Sequence, residues 1–205
     1  MTDTLLTFAG VTAAVLAGWL GGRTAGPREA PAGWRVRAVL LAAAPAAAGL
    51  AVLCGAPLLL STAIGVAVPL ALSAAWLDWQ AGLIADIQSA GVVLAGLLAA
   101  PFLYPYATWA IALGGGGVAL AVLALGQLAV WLRSREHGLG AGDYGLAVAG
   151  GVWCGLGWVG PALLIAVAVT VLLALLRGRA DGARYAFAPG LVAGFSLATL
   201  AGRLA

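Results

Sequence analysis

Charged residues fall along this chain in a few short groups, and the stretches between them are almost wholly apolar. Thr4 to Gly22, Ala38 to Ala56, Pro57 to Leu77, Ala90 to Tyr104, Thr108 to Leu132 and Phe187 to Leu204 each read as a candidate transmembrane helix, because a bilayer core is crossed by about 20 apolar residues. Between Leu146 and Leu176 there is no charge, but Gly155, Gly157, Gly160 and Pro161 interrupt the run. Glycine and proline together predict a break there, giving a short span and then Ala162 to Leu176. The fold class that follows is all-α, a polytopic transmembrane helical bundle of about eight spans forming one integral membrane domain over residues 1–205. A single tilted or re-entrant segment at 146–176 would give seven crossings instead.

The arginines bear on that count, since cytoplasmic loops carry the excess of basic residues. Arg23, Arg28, Arg35 and Arg37 form one group, Arg133 and Arg135 a second, and Arg177, Arg179 and Arg184 a third. Eight spans with the N-terminus outside put all three groups in the cytoplasm and leave the external connections near Ala56, Tyr104 to Ala107 and Gly157 to Pro161 uncharged. Seven spans would put the third group outside. The first apolar stretch lacks the leading positive charge of a secretory signal, its first arginine being Arg23, so it reads as a retained span. Small-xxx-small pairs such as Gly18 with Gly22, Gly151 with Gly155 and Gly190 with Gly194 suit close helix contact.

Composition excludes other classes. Hydrophobic residues make up 63% of the 205 and charged ones 8%, with a mean hydropathy of +1.07. A soluble domain carries about a quarter of its residues as charges, so no water-solvated surface can be built here. Disorder fails for want of polarity, and ten arginines spread over short loops make no nucleic-acid-binding face. Cys54 and Cys154 stand alone, with no CxxC spacing, so neither a metal site nor a disulfide framework is expected.

Four acidic residues stand apart from the solvated or arginine-paired Asp3, Glu29 and Asp181: Asp78, Asp86, Glu136 and Asp143. Asp78 ends the apolar run Ala74-Ala-Trp-Leu77, at or just inside the cytoplasmic boundary. A carboxylate there is costly unless it faces a polar cavity or shares a proton, which makes it a functional candidate. Asp143 mirrors it at the start of the 146–176 run, within Gly138-Leu-Gly140-Ala-Gly142-Asp143-Tyr-Gly145, and the topology opens both on one face. Two carboxylates at one membrane depth can share a proton and activate a water between them. Gly140 and Gly142 allow positive φ and leave no side chain between backbone and ligand, so an extended peptide can lie beside Asp143. The structural alternative is a glycine-rich turn with Asp143 near a helix N-cap. The literal GxGxxG lacks the βαβ setting of a dinucleotide site. His137, the sole histidine, reads as an interfacial loop residue, and no serine sits in a GxSxG elbow. Trp19, Trp34, Trp76, Trp79, Trp109 and Trp131 cluster toward predicted span ends as an interfacial belt.

At these residues the chain resembles the prepilin peptidases, GxGD-type intramembrane aspartyl proteases. The segment from Gly140 through Asp143 and Trp153 to Gly155 is similar to the family's second aspartate motif, and Asp78 to Asp86 is similar in length to its first. Tyr185-Ala-Phe187-Ala-Pro189-Gly190 resembles the family segment that opens the last helix. The resemblance runs over residues 70–205 as the catalytic part. Ala85 stands where the family has proline, Gly145 where it has lysine, and Glu136 is one residue out of register. The resemblance is to the short form, without the cysteine-tetrad domain, and so implies peptidase activity without support for N-methylation.

What the resemblance implies is a multi-pass protein of the bacterial cytoplasmic (inner) membrane. It would cleave the leader of type IV prepilin-like or pseudopilin precursors at the cytoplasmic face, after a glycine that ends a short basic leader. Asp78 and Asp143 would be catalytic, with Gly140, Gly142, Asp86, Glu136 and Pro189 binding substrate or supporting. No metal or cofactor is expected, and the partners are the pilin substrate and membrane lipid, not nucleic acid. Two other classes fit the residues: a non-catalytic membrane component of a pilus or secretion system whose aspartates only cap helices, and a small proton-coupled carrier.

Overall fold

A computed structural model describes residues 34–135, 139–177 and 186–204. The first predicted span, the arginines up to Arg28, Glu136, His137 and the loop carrying Arg179, Asp181 and Arg184 lie outside the described residues. Within them every element is a helix: α1 (Trp34–Leu53), α2 (Leu58–Ala81), α3 (Asp86–Leu103), α4 (Thr108–Ser134), α5 (Ala141–Cys154), α6 (Val159–Arg177) and α7 (Ala188–Leu204). The predicted break is present, α5 ending at Cys154, but α6 begins at Val159 rather than Ala162 and takes Gly160 and Pro161 into its first turn, where proline costs no helical hydrogen bond. Gly155 makes the break with φ of +73°, a conformation that glycine adopts without a Cβ clash. In the same way Gly82, at φ +63°, ends α2 and donates its N–H to the Asp78 carbonyl.

Among the described residues four helices, α2, α3, α4 and α6, are long and apolar enough to cross a membrane. Large exposed side chains such as Leu94, Leu98, Leu125, Leu164 and Leu175 give the bundle an apolar exterior, which only lipid can solvate favourably. The protein is a multi-pass membrane protein. Helix α5, with 14 residues, is about 21 Å long against about 40 Å for the 27-residue α4.

Helix α5 lies at the centre, packed on α3, α4 and α7, while α1 packs on α2 at the margin. Its backbone meets that of α4 at Gly151 and Gly115, where a Cβ on either glycine would overlap the other's carbonyl oxygen. Gly190 and Gly194 bring α7 equally close to the α6 carbonyls of Ala166 and Ala162. Small residues let helices approach when no hydrophobic force drives them together in lipid. Both pairs therefore act as expected: Gly155, just past the end of α5, also lies close against α4, where a Cβ on it would meet Ile111 Cγ2 at 2.8 Å.

One face of α5 turns to α3. Trp153 donates its indole N–H to the Val92 carbonyl at 2.9 Å, and Ala149 joins Val92, Ala95 and Leu70 in a buried cluster. Nearer its start, Leu146 and Ala147 join Ala74 of α2 with Ala188 and Leu191 of α7. Thus α5 is the wedge that joins the α2/α3 pair to α7.

Candidate functional site

Asp78 lies one turn beyond Ala74, and Asp143 one turn before Leu146 and Ala147. Those three apolar residues belong to one buried cluster, so both aspartates cap the same end of it. Each is 8% exposed. Yet α2 and α5 scarcely touch directly, so other elements must set the separation of the pair.

For Asp78 that element is α7. Its Oδ2 accepts the Ala188 N–H at 2.8 Å across 110 positions of sequence, and the Phe187 amide faces the same carboxyl. The first N–H groups of a helix have no partner within the helix and carry its positive dipole end. Here a carboxylate from another helix satisfies them. Pro189 follows in the first turn of α7, where a missing N–H costs no helical hydrogen bond.

Asp143 is the third residue of α5, and its Oδ2 accepts the N–H of Gly140, the N-cap, at 2.9 Å. That is the returning half of a capping box, so the capping role weighed from the sequence is present. It uses only one oxygen. Oδ1 of Asp143 is buried with no hydrogen-bond partner, as is Ser89 Oγ among the described residues. A buried carboxyl oxygen left unpaired is expensive, and a helix cap has no need of it.

One of the two uses expected of the glycines, positive φ, is absent. Neither Gly140 nor Gly142 has positive φ. A Cβ on Gly142 would stand 2.5 Å from Ile84 Cβ and 3.1 Å from the Ile84 carbonyl oxygen, so Gly142 lets α5 start directly against the segment joining α2 to α3. Gly140 is exposed and has only the Asp143 carboxyl near its missing side chain, at 3.6 Å. At Gly145 a Cβ would crowd the Ser89 side chain at 3.0 Å, so the lysine of the resembled motif is replaced here by tight α3/α5 packing.

Asp86 opens α3 with an exposed side chain, outside the buried cluster. Glu136 falls outside the described residues. Leu139, just beyond, donates its N–H to Gln127 Oε1 at 2.9 Å. Gln127 lies about two turns before the end of α4, so the chain re-enters the bundle before α5 begins and Asp143 is sunk below the α4 terminus. At the opposite end of the bundle, a cavity of about 230 Å³ between Tyr104, Trp153, Trp158 and Arg203 shares no residue with the carboxyl pair.

Two contributors had no sequence signal strong enough to single them out. Ala188 acts through its backbone, which no side chain advertises. Gln88, fully buried at 0% exposure, stands between Asp86 and Ser89, ahead of the expected span from Ala90, so its polarity does not set it apart.

The model of the type IV leader peptidase family matches residues 65–176, more than half of the chain and a stretch that includes both aspartates. The chain belongs to that family. No curated protein and no solved structure matches it. Membership in a leader peptidase family makes this membrane protein a peptidase by kinship. The matched stretch runs from α2 to α6, so the α7 amides that hold Asp78 lie beyond it.

Proposed function

We propose that this type IV leader peptidase relative is an aspartyl endopeptidase that removes the leader of prepilin-like or pseudopilin precursors at the cytoplasmic face of the bacterial inner membrane. Asp78 and Asp143 form its catalytic pair. The observation that carries the reading is the buried, partnerless Oδ1 of Asp143 at the end of the buried cluster that Asp78 also caps. Two such carboxyls cannot both ionise cheaply and hold one proton between them.

In this mechanism the charged carboxyl takes a proton from a water, whose oxygen attacks the scissile carbonyl carbon. The protonated carboxyl gives its proton to the carbonyl oxygen. Collapse of the resulting diol returns a proton to the leaving nitrogen and breaks the C–N bond. Three helices, α3, α5 and α7, start at this end, and their N-termini favour negative charge. Asp86, Glu136, Gly140, Gly142 and Pro189 support the pair or the substrate.

A second reading has one observation of its own. One oxygen of each aspartate is engaged as a cap, by Ala188 and by Gly140, as a non-catalytic member of the fold would use them. Purified protein in proteoliposomes with a reporter prepilin separates the two. Cleavage after the leader glycine by the parent, and its absence in both Asp78→Asn and Asp143→Asn, supports the peptidase; an intact reporter with folded parent supports the non-catalytic component.

A further inference from the structure

Something must fix Asp143 relative to Asp78, since their helices scarcely touch. On the α7 side it is the Ala188 amide. On the α3 side the connection runs through Ile84, which packs against Gly142, the residue before Asp143. Ile84 belongs to the four-residue link between α2 and α3, and a short link holds its place only if it is pinned.

Gln88 supplies the pin. It is the third residue of α3 and fully buried. Its Oε1 accepts the Ala85 N–H at 3.2 Å, closing the link onto the start of α3. Its Nε2 donates to Ser73 Oγ at 2.9 Å, and Ser73, also at 0% exposure, donates to the Leu70 carbonyl. One side chain thus ties the link to α3 and to the body of α2, between the core cluster and the turn that presents Asp143. Ala85 is where the resembled motif has proline, which has no N–H to offer.

We infer that Gln88 is a positioning residue for the carboxyl pair: through Ala85, Ser73 and Ile84 it sets where the Gly140–Asp143 turn stands relative to Asp78. Its activity readout rests on the peptidase reading above; its structural readout does not.

The test uses the full-length protein in lipid nanodiscs, with Gln88→Leu, Ser73→Ala and the double variant Gln88→Leu/Ala85→Pro. Hydrogen exchange is measured at residues 82–88 and 140–146, alongside kinetics on the reporter prepilin. In Gln88→Leu, exchange should quicken in both segments, and kcat should fall about 10- to 100-fold, the scale of an error near 1 Å in placement, with KM little changed. Ser73→Ala should shift both segments the same way and by less. Proline at 85 should restore much of the loss, because Ala85 has φ of −79°, within the proline range, and the ring fixes that angle while removing the donor that Gln88 satisfies. Unchanged exchange at 140–146 in both Gln88→Leu and Ser73→Ala would overturn the inference, as would parental turnover in both. If Gln88→Leu does not fold, Ser73→Ala decides. If the parent leaves the reporter intact, the peptidase reading fails and the exchange data alone judge the positioning role.

Discussion

Asp78 on α2 accepts the backbone N–H of Ala188, the first residue of α7, so the start of the last described helix is held by the carboxyl group that the functional reading needs most. A charge-assisted hydrogen bond of this kind is worth about 1.5 to 3 kcal/mol. Ala188→Pro deletes the donor while adding the bulk of its ring, and proline is well tolerated at a first helical position. Ala188 is fully buried, so Ala188→Val serves as the control that adds bulk and keeps the N–H. Reporter cleavage should fall about tenfold or more in the proline variant relative to the valine one. Equal rates in the two variants would mean that the amide does not position Asp78.

The aspartates themselves make the second prediction. Asn keeps the shape of each side chain but can neither hold the charge nor pass the proton, so Asp78→Asn and Asp143→Asn should each abolish cleavage with expression and insertion intact. Asn at 143 still offers an oxygen to the Gly140 N–H, which preserves the cap. Asp86→Asn, at an exposed position, should leave measurable activity. The same assay on all three, normalised to folded protein, checks the pattern; wild-type cleavage by Asp78→Asn would remove the pair.

Much of this arrangement was legible in the sequence, for physical reasons. Charges and the glycine break that begins at Gly155 delimit the helices because neither charge nor helix-breaking backbone is cheap in lipid. For the same reason Asp78 and Asp143 stood out at the ends of apolar runs. The amide of Ala188, the packing of Ile84 on Gly142 and the Gln88–Ser73 bond are long-range contacts, set by which helices become neighbours. The glycines of the Gly140–Asp143 turn were legible as special: of the two uses the sequence suggests, positive φ is absent, and the missing side chain at Gly142 admits Ile84 closely, a contact the sequence does not show. The short α5 was legible from the break, but its sunken start was hidden, since the return of Leu139 to Gln127 depends on a side chain one helix away.

Topology makes the third prediction. The arginine groups assign the link 82–85, the 135–140 turn and the loop before α7 to the cytoplasm, and the Tyr104 to Ala107 connection to the outside. In a background with Cys54 and Cys154 replaced, Leu83→Cys and Gly182→Cys should react with an impermeant maleimide only from the cytoplasmic side. Tyr106→Cys, fully exposed, should react only from outside. Labelling of residue 182 from outside would remove the eight-span arrangement.

The last prediction concerns Gly142, where two explanations of one glycine part company. If the residue is small so that a substrate strand can pass Asp143, Gly142→Ala blocks that strand, and nothing done to Ile84 helps. If it is small because Ile84 lies against it, the added methyl meets Ile84 Cβ at 2.5 Å and pushes the start of α5 away. Overpacking of this kind costs about 1 to 3 kcal/mol and displaces Asp143 with it. Gly142→Ala should therefore lower both thermal stability and cleavage. Ile84→Gly removes the opposing Cβ and Cγ2 atoms, so in the double variant the two changes should be strongly non-additive, with cleavage recovering toward that of Ile84→Gly alone. Additive losses, with stability unaffected by Gly142→Ala, would instead favour a substrate strand beside this turn.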